Sequence, residues 1–207
     1  MSVAAIIVTY NPELSRFKRV LNQASKQVDH VIIVDNYSRS KGVLRDLCDG
    51  VGNCDFIEVC FNSGVAHALR VGVNYASKYK PDWLLLLDDD TVPMSNAVDK
   101  VLGLISNLPG FILDRVGAVL MGSVNGDCGI GEVRYGVFSG TLIKGNVAAR
   151  VCCRDDFFLD QADHDMYSRI RELGYLTPSI NCRLVDHRVG TVRWSKILHK
   201  LIGYEPP

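Results

Sequence analysis

Residues 83–90 read WLLLLDDD, so that the most apolar run of the chain leads directly into three consecutive carboxylates. A short apolar run bounded by Pro81 and by acidic residues is typical of a strand that is buried on both faces. Because an unpaired carboxylate is too costly to bury, Asp88, Asp89 and Asp90 should lie at the C-terminal edge of this strand. Open α/β sheets bind ligands at that edge, and hard divalent cations prefer oxygen ligands. The segment therefore predicts a site for a metal ion and a phosphate group.

Strand-like and helical segments alternate along the first half of the chain. Strand-like runs cover residues 3–8, 31–34, 56–60, 83–87, 116–121 and 137–143, and residues 175–186 contain one or two more. Helical spacing of apolar residues covers residues 14–28, 43–48, 65–76, 94–107 and 163–173, and residues 122–136 form a glycine-rich loop or hairpin. Asn11 fits the N-cap of the first helix, with Pro12 at its first position. This order predicts an α/β fold with a mostly parallel, doubly wound sheet flanked by helices and a small additional β element.

The composition limits the function. The 207 residues include 23 Lys and Arg and 23 Asp and Glu, so the net charge is zero and no broad nucleic-acid-binding surface is expected. No apolar run is as long as a membrane span, and Met1 leads straight into a strand-like segment without a signal peptide. The seven cysteines lack metal-type spacing, and we expect reduced, partly buried thiols. These features predict a single cytoplasmic domain.

Two chemistries fit the aspartate strand. Residues 87–92, LDDDTV, match the opening motif of haloacid-dehalogenase-like phosphatases, in which one carboxylate attacks phosphorus and another moves a proton. That family also has a Gly-Asp-x-x-x-Asp metal motif, whereas residues 126–131 carry Gly131 where the second acid should stand. The phosphatase motif also usually lies near the start of the chain. The other chemistry is transfer of a sugar from a nucleotide, in which the carboxylates hold a metal ion that neutralises the departing diphosphate.

Six short segments favour sugar transfer. They are residues 8–12 (VTYNP), 34–38 (VDNYS), 62–66 (NSGVA), 87–91 (LDDDT), 139–141 (SGT) and 157–175. In this order they resemble the inverting family-two glycosyltransferases of the GT-A fold, most closely the rhamnosyltransferase-like and galactofuranosyltransferase-like branches. The resemblance implies one GT-A domain over residues 1–207. Its parts would be a nucleotide-binding part (1–92), an acceptor-binding and catalytic part (93–190) and an apolar C-terminal helix (191–207).

The resemblance places the sugar donor along the strand ends. The implied contacts to a UDP- or dTDP-sugar come from Thr9, Tyr10, Asn11, Asp35, Asn62, Gly64, Asp88 and Asp89. The carboxylate of Asp35 would accept a hydrogen bond from the imide N–H that uracil and thymine share. The local sequence allows simpler explanations as well. Asp35 fits a turn after a strand, and residues 62–64 fit a helix cap with a tight turn.

The resemblance also implies a metal ion, Mn2+ or Mg2+. Its ligands would be Asp88, Asp90 and His187, because neutral imidazole binds manganese beside carboxylates. The alternative for His187 is an ordinary surface histidine in a loop. A structural explanation for three adjacent acids after a buried strand is much less attractive, since the acids repel one another unless a cation joins them.

A second acidic cluster supplies the implied general base. Asp160, Asp163 and Asp165 lie in the segment where the relatives carry acid-x-acid-xxx-Arg-xxxx-Gly-Tyr, and the alignment makes Asp163 the base. This chain has Ala162 where many relatives have another acid. Acids in a first helical turn also complement the helix dipole, and Asp165 could instead pair with Arg169 to hold the start of the helix.

The implied reaction is a single displacement with inversion at the anomeric carbon. Its acceptor would be a saccharide or lipid-linked saccharide of a growing cell-surface polysaccharide, and a C-terminal extension would be the route to peripheral association with the inner face of the membrane. A non-catalytic nucleotide-sugar-binding subunit is the alternative, although it has no need for a base such as Asp163. A nucleotidyltransferase would need a glycine-rich, basic phosphate loop, which residues 9–12 do not provide.

Overall fold

The computed structural model of the protein describes residues 1–154, 156–158 and 161–187. Asp160 and the apolar helix predicted over residues 191–207 lie outside these residues. Within this part of the chain, none of the helices is both long enough and apolar enough to cross a membrane.

The described residues form ten strands and seven α-helices. The strands are β1 (Val3–Thr9), β2 (His30–Asp35), β3 (Cys54–Glu58), β4 (Trp83–Asp88), β5 (Val92–Pro93), β6 (Ala118–Met121), β7 (Ile130–Glu132), β8 (Thr141–Lys144), β9 (Pro178–Ile180) and β10 (Val185–Asp186). The helices are α1 (Leu14–Ser25), α2 (Lys41–Asp49), α3 (Val65–Ala76), α4 (Ala97–Ser106), α5 (Gly110–Leu113), α6 (Gly145–Val151) and α7 (Ala162–Glu172). Strands and helices alternate up to β4, as the apolar patterns predict.

Eight strands form the central sheet, in the order β3-β2-β1-β4-β8-β6-β9-β7. The first four are parallel, whereas β8 runs antiparallel to both of its neighbours, β4 and β6. A second, two-stranded antiparallel sheet joins β5 to β10. The predicted architecture, a mostly parallel sheet flanked by helices with a small additional β element, is confirmed.

Strand β4 is buried on both faces, as the leucine run predicts. Leu85 and Leu87 pack in the same apolar cluster as the inward residues of α1 and α4. Leu84 and Leu86 pack on the opposite face with the inward residues of α3, α6 and α7. Because both faces are covered, the carboxylates that follow the strand can reach polar surroundings only at its C-terminal end.

The strand register brings polar residues of three strands to this same edge. In the parallel pairing of β1 with β4, Val8 lies opposite Asp88. In the pairing of β1 with β2, Thr9 lies opposite Asp35. Parallel strands end on the same side of a sheet, so the loops after β1, β2 and β4 surround one common space.

The first helix begins later than predicted, and the N-cap assignment of Asn11 is wrong. Helix α1 starts at Leu14, with Glu13 as the residue before it. Asn11 instead has a left-handed backbone, with φ of 51°. Asparagine tolerates this conformation in a tight turn. The Asn11 N–H donates to Ser38 Oγ at 2.8 Å, and Asn11 Oδ1 accepts from the Arg39 N–H at 2.9 Å.

The second half of the chain departs further from the predicted elements. The strand predicted over residues 137–143 is extended only from Thr141, because Gly140 has a φ of +85° and the Thr141 N–H donates to the carbonyl of Phe138 at 2.9 Å. Helix α6 has no counterpart among the predicted elements. The turn at Gly140 matters for the site, because it turns Ser139 toward the end of β4.

The expectation of reduced thiols is wrong for six of the seven cysteines. The structure pairs Cys48 with Cys54, Cys128 with Cys182, and Cys152 with Cys153, and leaves Cys60 free and exposed. The first two pairs have Cα atoms 5.4 and 4.6 Å apart, which is the ordinary range for a cross-link. Cysteine spacing along the sequence did not reveal these pairs, since the fold sets the distances between them.

Candidate active site

The predicted metal ligands come together at the C-terminal end of β4. One ligand atom from each of Asp88, Asp90 and His187 lies within 4.8 Å of the other two. His187 reaches this position because it directly follows β10, which pairs with β5 just beyond the aspartates. Its Nδ1 lies 3.9 Å from Oδ1 of Asp90. Two carboxylates and an imidazole at these separations form a donor set that suits a divalent cation.

Two buried hydroxyl groups connect these ligands, and the sequence analysis did not assign them to the site. Ser139 Oγ accepts from the Asp88 N–H at 2.8 Å and donates to Thr91 Oγ1 at 2.7 Å. Thr91 Oγ1 in turn lies 2.5 Å from Nδ1 of His187. When Nδ1–H donates to the threonine, the lone pair of Nε2 is left available for a metal ion. The hydroxyl pair therefore orients the imidazole relative to the carboxylates.

Asp88 and Asp89 are difficult to ionise without a cation. Burial raises the pKa of Asp88, and the nearby charge of Asp90 raises it further. Burial also raises the pKa of Asp89 to about 7, although a hydrogen bond from the Tyr10 N–H opposes the shift. A cation bound among these groups would favour their charged forms, because an opposite charge at close range lowers a carboxyl pKa.

Asp89 lies on the side of the cluster that faces the loop after β1, rather than among the predicted metal ligands. Its Oδ2 accepts a hydrogen bond from the Tyr10 N–H at 3.0 Å, which turns the side chain toward the loop after β1. The ring of Tyr10 itself is half exposed at this edge. The predicted contacts of Tyr10 and Asp89 with a nucleotide stay predictions, and the two residues do lie side by side.

Asp35 is fully buried and held by its neighbours. Thr9 Oγ1 donates to its Oδ1 at 2.9 Å, and the Ser38 N–H donates to its Oδ2 at 2.9 Å. The Thr9 side chain is also fully buried, so its hydroxyl serves to position Asp35. Each carboxylate oxygen keeps a second lone pair for a further donor. The predicted hydrogen bond from a base imide N–H to Asp35 stays a prediction.

Asn36 was missed by the sequence analysis and organises the loop that contains Asn62 and Gly64. Its Nδ2 donates to Asn62 Oδ1 at 2.9 Å, and its Oδ1 accepts from the N–H and hydroxyl of Ser63 at 2.9 and 3.0 Å. The Gly64 N–H also donates to Asn62 Oδ1, at 3.3 Å. The side chain of Asn62 therefore supports the loop. The predicted contact of this loop with a nucleotide-sugar stays a prediction.

Gly64 joins the loop before α3 to the segment before α7. Its φ is +82°, and a Cβ atom there would lie 2.2 Å from the carbonyl oxygen of Phe158. The next residue, Val65, donates its N–H to that same carbonyl at 2.9 Å. Only glycine fits this contact, because the backbone of Phe158 occupies the space of a side chain. One amide at the start of α3 is thus already satisfied by the protein.

The predicted base lines the same cavity as two of the predicted metal ligands. A cavity of about 430 Å³ is lined by Asp88, His187 and Asp163, together with Val137, Phe138 and Gln161 among others. Asp163 lies in the first turn of α7, and its Oδ1 accepts the N–H of His164 at 2.9 Å. The structure therefore brings the two acidic clusters together, although they are far apart in the sequence.

Asp165 pairs with Arg169 at the start of α7, which is the structural alternative that the sequence analysis gave for this residue. Its carboxylate lies 3.9 Å from Arg169 one turn along α7 and 3.7 Å from Arg154. These ion pairs turn Asp165 toward basic side chains, and Asp165 is absent from the lining of the cavity that contains Asp163. The two acids of the helix start are thus distinguished by their surroundings.

Comparison with known proteins identifies the family. Residues 4–125, more than half of the chain, match the domain described as Glycosyl transferase family 2. The chain belongs to glycosyl transferase family 2. The matching region runs from β1 through β6 and includes the aspartate strand. Membership of family 2 therefore favours the glycosyltransferase interpretation of this strand over the phosphatase interpretation.

Individual relatives agree with this assignment. The family 2 chain is 29% identical over 90 residues to the dTDP-rhamnosyl transferase RfbF of Shigella flexneri, covering 44% of the chain and 30% of RfbF. It superposes on the crystal structure of GalNAc-T7 with UDP, GalNAc and Mn2+ with a TM-score of 0.72, 11% identity and coverage of 87% of this chain and 42% of the other. For S. aureus TarS the TM-score is 0.68, with 16% identity and coverage of 89% and 36%. These likenesses show the GT-A fold, and the family 2 chain spans less than half the length of each of these proteins.

Proposed function

We propose that this chain is the catalytic domain of a metal-dependent, inverting glycosyltransferase. It would transfer a sugar from a UDP- or dTDP-sugar to a saccharide acceptor in cell-surface polysaccharide synthesis. One observation carries the proposal: Asp88 and His187, which are grouped with Asp90, line the same cavity as Asp163. Metal ligands and a separate carboxylate at one cavity are what sugar transfer to a hydroxyl acceptor needs.

The donor set fits Mn2+ or Mg2+. Carboxylate oxygens are the preferred ligands of both ions, and the imidazole of His187 favours Mn2+ of the two. The raised pKa of Asp88 supports the fit, because burial and the charge of Asp90 both disfavour its ionised form and a bound cation would offset them. When bound, the ion would neutralise charge on the departing diphosphate.

The remaining steps belong to the side chains of the protein. The buried carboxylate of Asp35 would accept the imide N–H of uracil or thymine, and Tyr10, Asn62 and Gly64 would line the nucleotide. Across the cavity, Asp163 would take the proton of the acceptor hydroxyl while its oxygen attacks the anomeric carbon. The bond between that carbon and the diphosphate oxygen breaks, and its electron pair leaves with the diphosphate. Because the acceptor attacks from the face opposite the diphosphate, the configuration at the anomeric carbon is inverted.

The donor sugar is the finer part of the proposal. Similarity to the dTDP-rhamnosyl transferase RfbF supports a dTDP-linked rhamnose donor, and a galactofuranose donor is the second candidate by resemblance. A lipid-linked acceptor at the inner face of the membrane belongs to the proposal by resemblance alone. Thermal stabilisation of the protein by a panel of nucleotide sugars, with and without Mn2+, identifies the donor.

Replacement of Asp90 by alanine tests the metal site. We expect Asp90→Ala to lose the part of UDP or dTDP binding that depends on Mn2+, because one of the three grouped ligands is removed. Calorimetric titration of nucleotide with Mn2+ and with EDTA measures that part. The exposed Asp99→Ala on α4 is the control and should bind like the wild type. Equal Mn2+ dependence in Asp90→Ala and the wild type would contradict the proposed site.

A further inference from the structure

Helix α1 carries a buried positive charge. The inward residues of this helix are otherwise apolar, and include Phe17, Val20 and Leu21, yet the side chain of Arg16 is only 3% exposed. A guanidinium group is costly to remove from water unless its N–H groups find good acceptors. Its position therefore calls for an explanation in terms of its partners.

The partners of Arg16 all lie on two distant segments. Its Nε donates to the backbone carbonyl of Asp90 at 2.7 Å. Its Nη1 donates to Oδ2 of Asp186 at 2.7 Å, and its Nη2 donates to the backbone carbonyl of the same residue. The two segments lie 74 and 170 residues further along the chain. One planar group thus joins the end of the aspartate strand to the end of β10.

Both segments carry a predicted metal ligand. Asp90 is itself a member of the grouped donor set, and Asp186 directly precedes His187. The small sheet that brings these segments together has only two residue pairs, one of which includes Pro93. Proline has no N–H to donate, so this sheet alone gives the histidine little support. Arg16 supplies three further hydrogen bonds across the same junction.

We propose that Arg16 is a positioning residue of the metal site. It holds Asp90 and His187 at the separation that a divalent cation requires, without contacting the cation itself. The inference rests on the proposed metal-dependent function. A planar guanidinium group is needed, because its N–H groups donate three hydrogen bonds in fixed directions. The ammonium group of lysine is a single point charge and cannot reproduce this geometry.

Two other arginines provide matched controls. Arg19 lies one turn further along α1 and is 3.9 Å from Asp186, and Arg183 donates to Asp186 Oδ1 at 3.0 Å. Their side chains are 59% and 42% exposed, and among the hydrogen bonds and ion pairs of the described residues neither contacts the backbone of a ligand segment. They share the charge of Arg16 and its carboxylate partner but not its link to Asp90.

The test is a titration of the purified chain with MnCl2, with free Mn2+ followed by electron paramagnetic resonance. Loss of side chains that orient metal ligands typically costs about 10–100-fold in affinity, and we expect this loss for Arg16→Lys and Arg16→Met. Arg19→Met and Arg183→Met should retain the affinity of the wild type. Nucleotide binding in EDTA should be unchanged in Arg16→Lys, which a general loss of structure would not allow.

The outcomes separate this inference from the proposed function. Wild-type Mn2+ affinity in a folded Arg16→Lys variant overturns the role of Arg16 and leaves the metal site intact. Absence of Mn2+ binding in the wild type overturns the metal site and the inference together. If the Arg16 variants do not fold, Asp186→Asn is tested instead. This substitution removes the carboxylate that accepts from Arg16 Nη1 and keeps the backbone carbonyl that accepts from Nη2. Reduced Mn2+ affinity in Asp186→Asn supports the inference, and unchanged affinity overturns it.

Discussion

At the scale of single residues, turnover should depend most directly on Asp163. A general base typically contributes about 10²–10⁴-fold to a rate, and we expect Asp163→Asn to lose activity in that range while nucleotide binding is kept. Asp165→Asn is the matched control, because this acid lies on the same helical turn but pairs with Arg154 and Arg169. The rates of sugar transfer and of donor hydrolysis are measured for both variants. A near-normal rate in Asp163→Asn would remove its assignment as base. Absence of both transfer and donor hydrolysis in the wild type would instead favour a nucleotide-sugar-binding subunit.

The candidate site residues were easier to predict than the residues that hold them. Asp88 and Asp90 stand out because acids that follow a buried strand call for a partner, whereas Asp163 was assigned from the resemblance of residues 157–175 to the family. Arg16, Asn36, Thr91 and Ser139 were not assigned, although Arg16 lies within the apolar spacing of α1, which was the one available signal. Their importance comes from hydrogen bonds to segments far away in the sequence, which local patterns do not contain.

At the scale of elements, the start of α3 depends on one glycine. Gly64→Ala should destabilise the protein by about 1–3 kcal/mol, because its backbone conformation is confined to glycine and its Cβ would meet the Phe158 carbonyl. It should also weaken nucleotide-sugar binding, since the loop next to the cleft must move. Urea unfolding and calorimetry measure the two effects.

Gly103 provides the control for this substitution. It lies on the exposed side of α4, and a Cβ added there would meet nothing within 4 Å. Gly103→Ala should therefore leave binding unchanged and raise the free energy of unfolding, by up to about 1 kcal/mol, because alanine is the better helix former. Equal behaviour of the two variants would contradict the special role of Gly64.

The edge strand β3 is attached by a polar cluster around Asp55. Its Oδ2 accepts hydrogen bonds from the Tyr79 hydroxyl and, at 2.9 Å, from Lys78, and His30 Nε2 lies 3.0 Å away. Burial tends to raise the pKa of Asp55, but these donors outweigh it and hold the pKa well below the usual 3.8. The ionised carboxylate therefore joins β2, β3 and the short turn at Ser77–Tyr79.

Stability at this cluster should depend on pH. A carboxylate whose pKa is lowered on folding stabilises the protein above its unfolded pKa, and this contribution is lost as the pH falls. Asp55→Asn should cost about 1–3 kcal/mol at neutral pH, and the difference from the wild type should shrink below the usual pKa of 3.8. Urea unfolding of both proteins from neutral pH to below pH 3.8 measures this difference in stability. Substitution of the exposed Asp46, Asp46→Asn, is the control. A difference that does not change with pH would contradict the prediction.

The first half of the fold was predictable because each parallel strand–helix unit carries its own apolar period. Strands β1, β2 and β4 lie where the apolar runs predict them. In the second half, short strands such as β7 and β9 lack a clear period, and β8 begins only after the turn at Gly140. Pairing with distant partners decides these elements, so the sequence alone predicted them poorly.

At the scale of the whole molecule, the Cys128–Cys182 cross-link ties the loop before β7 to the segment that leads to His187. It closes a separation of 54 residues, for which the loss of chain entropy corresponds to about 4 kcal/mol. Replacement of both cysteines by alanine should lower the free energy of unfolding by up to this amount, whereas Cys60→Ala should not. Urea unfolding checks this, and the difference should vanish in reducing agent.

The strand order has a consequence for where the molecule can be divided. Strand β8 lies between β4 and β6 in space, although it follows both in the chain. A fragment ending at residue 125, the limit of the family match, would leave β4 with an unpaired leucine-rich edge and β6 with no neighbour at all. Such an edge invites aggregation. We therefore expect that the recognisable family segment does not fold on its own, because its acidic strand has one neighbour, β1, within the segment and obtains the other only from later residues.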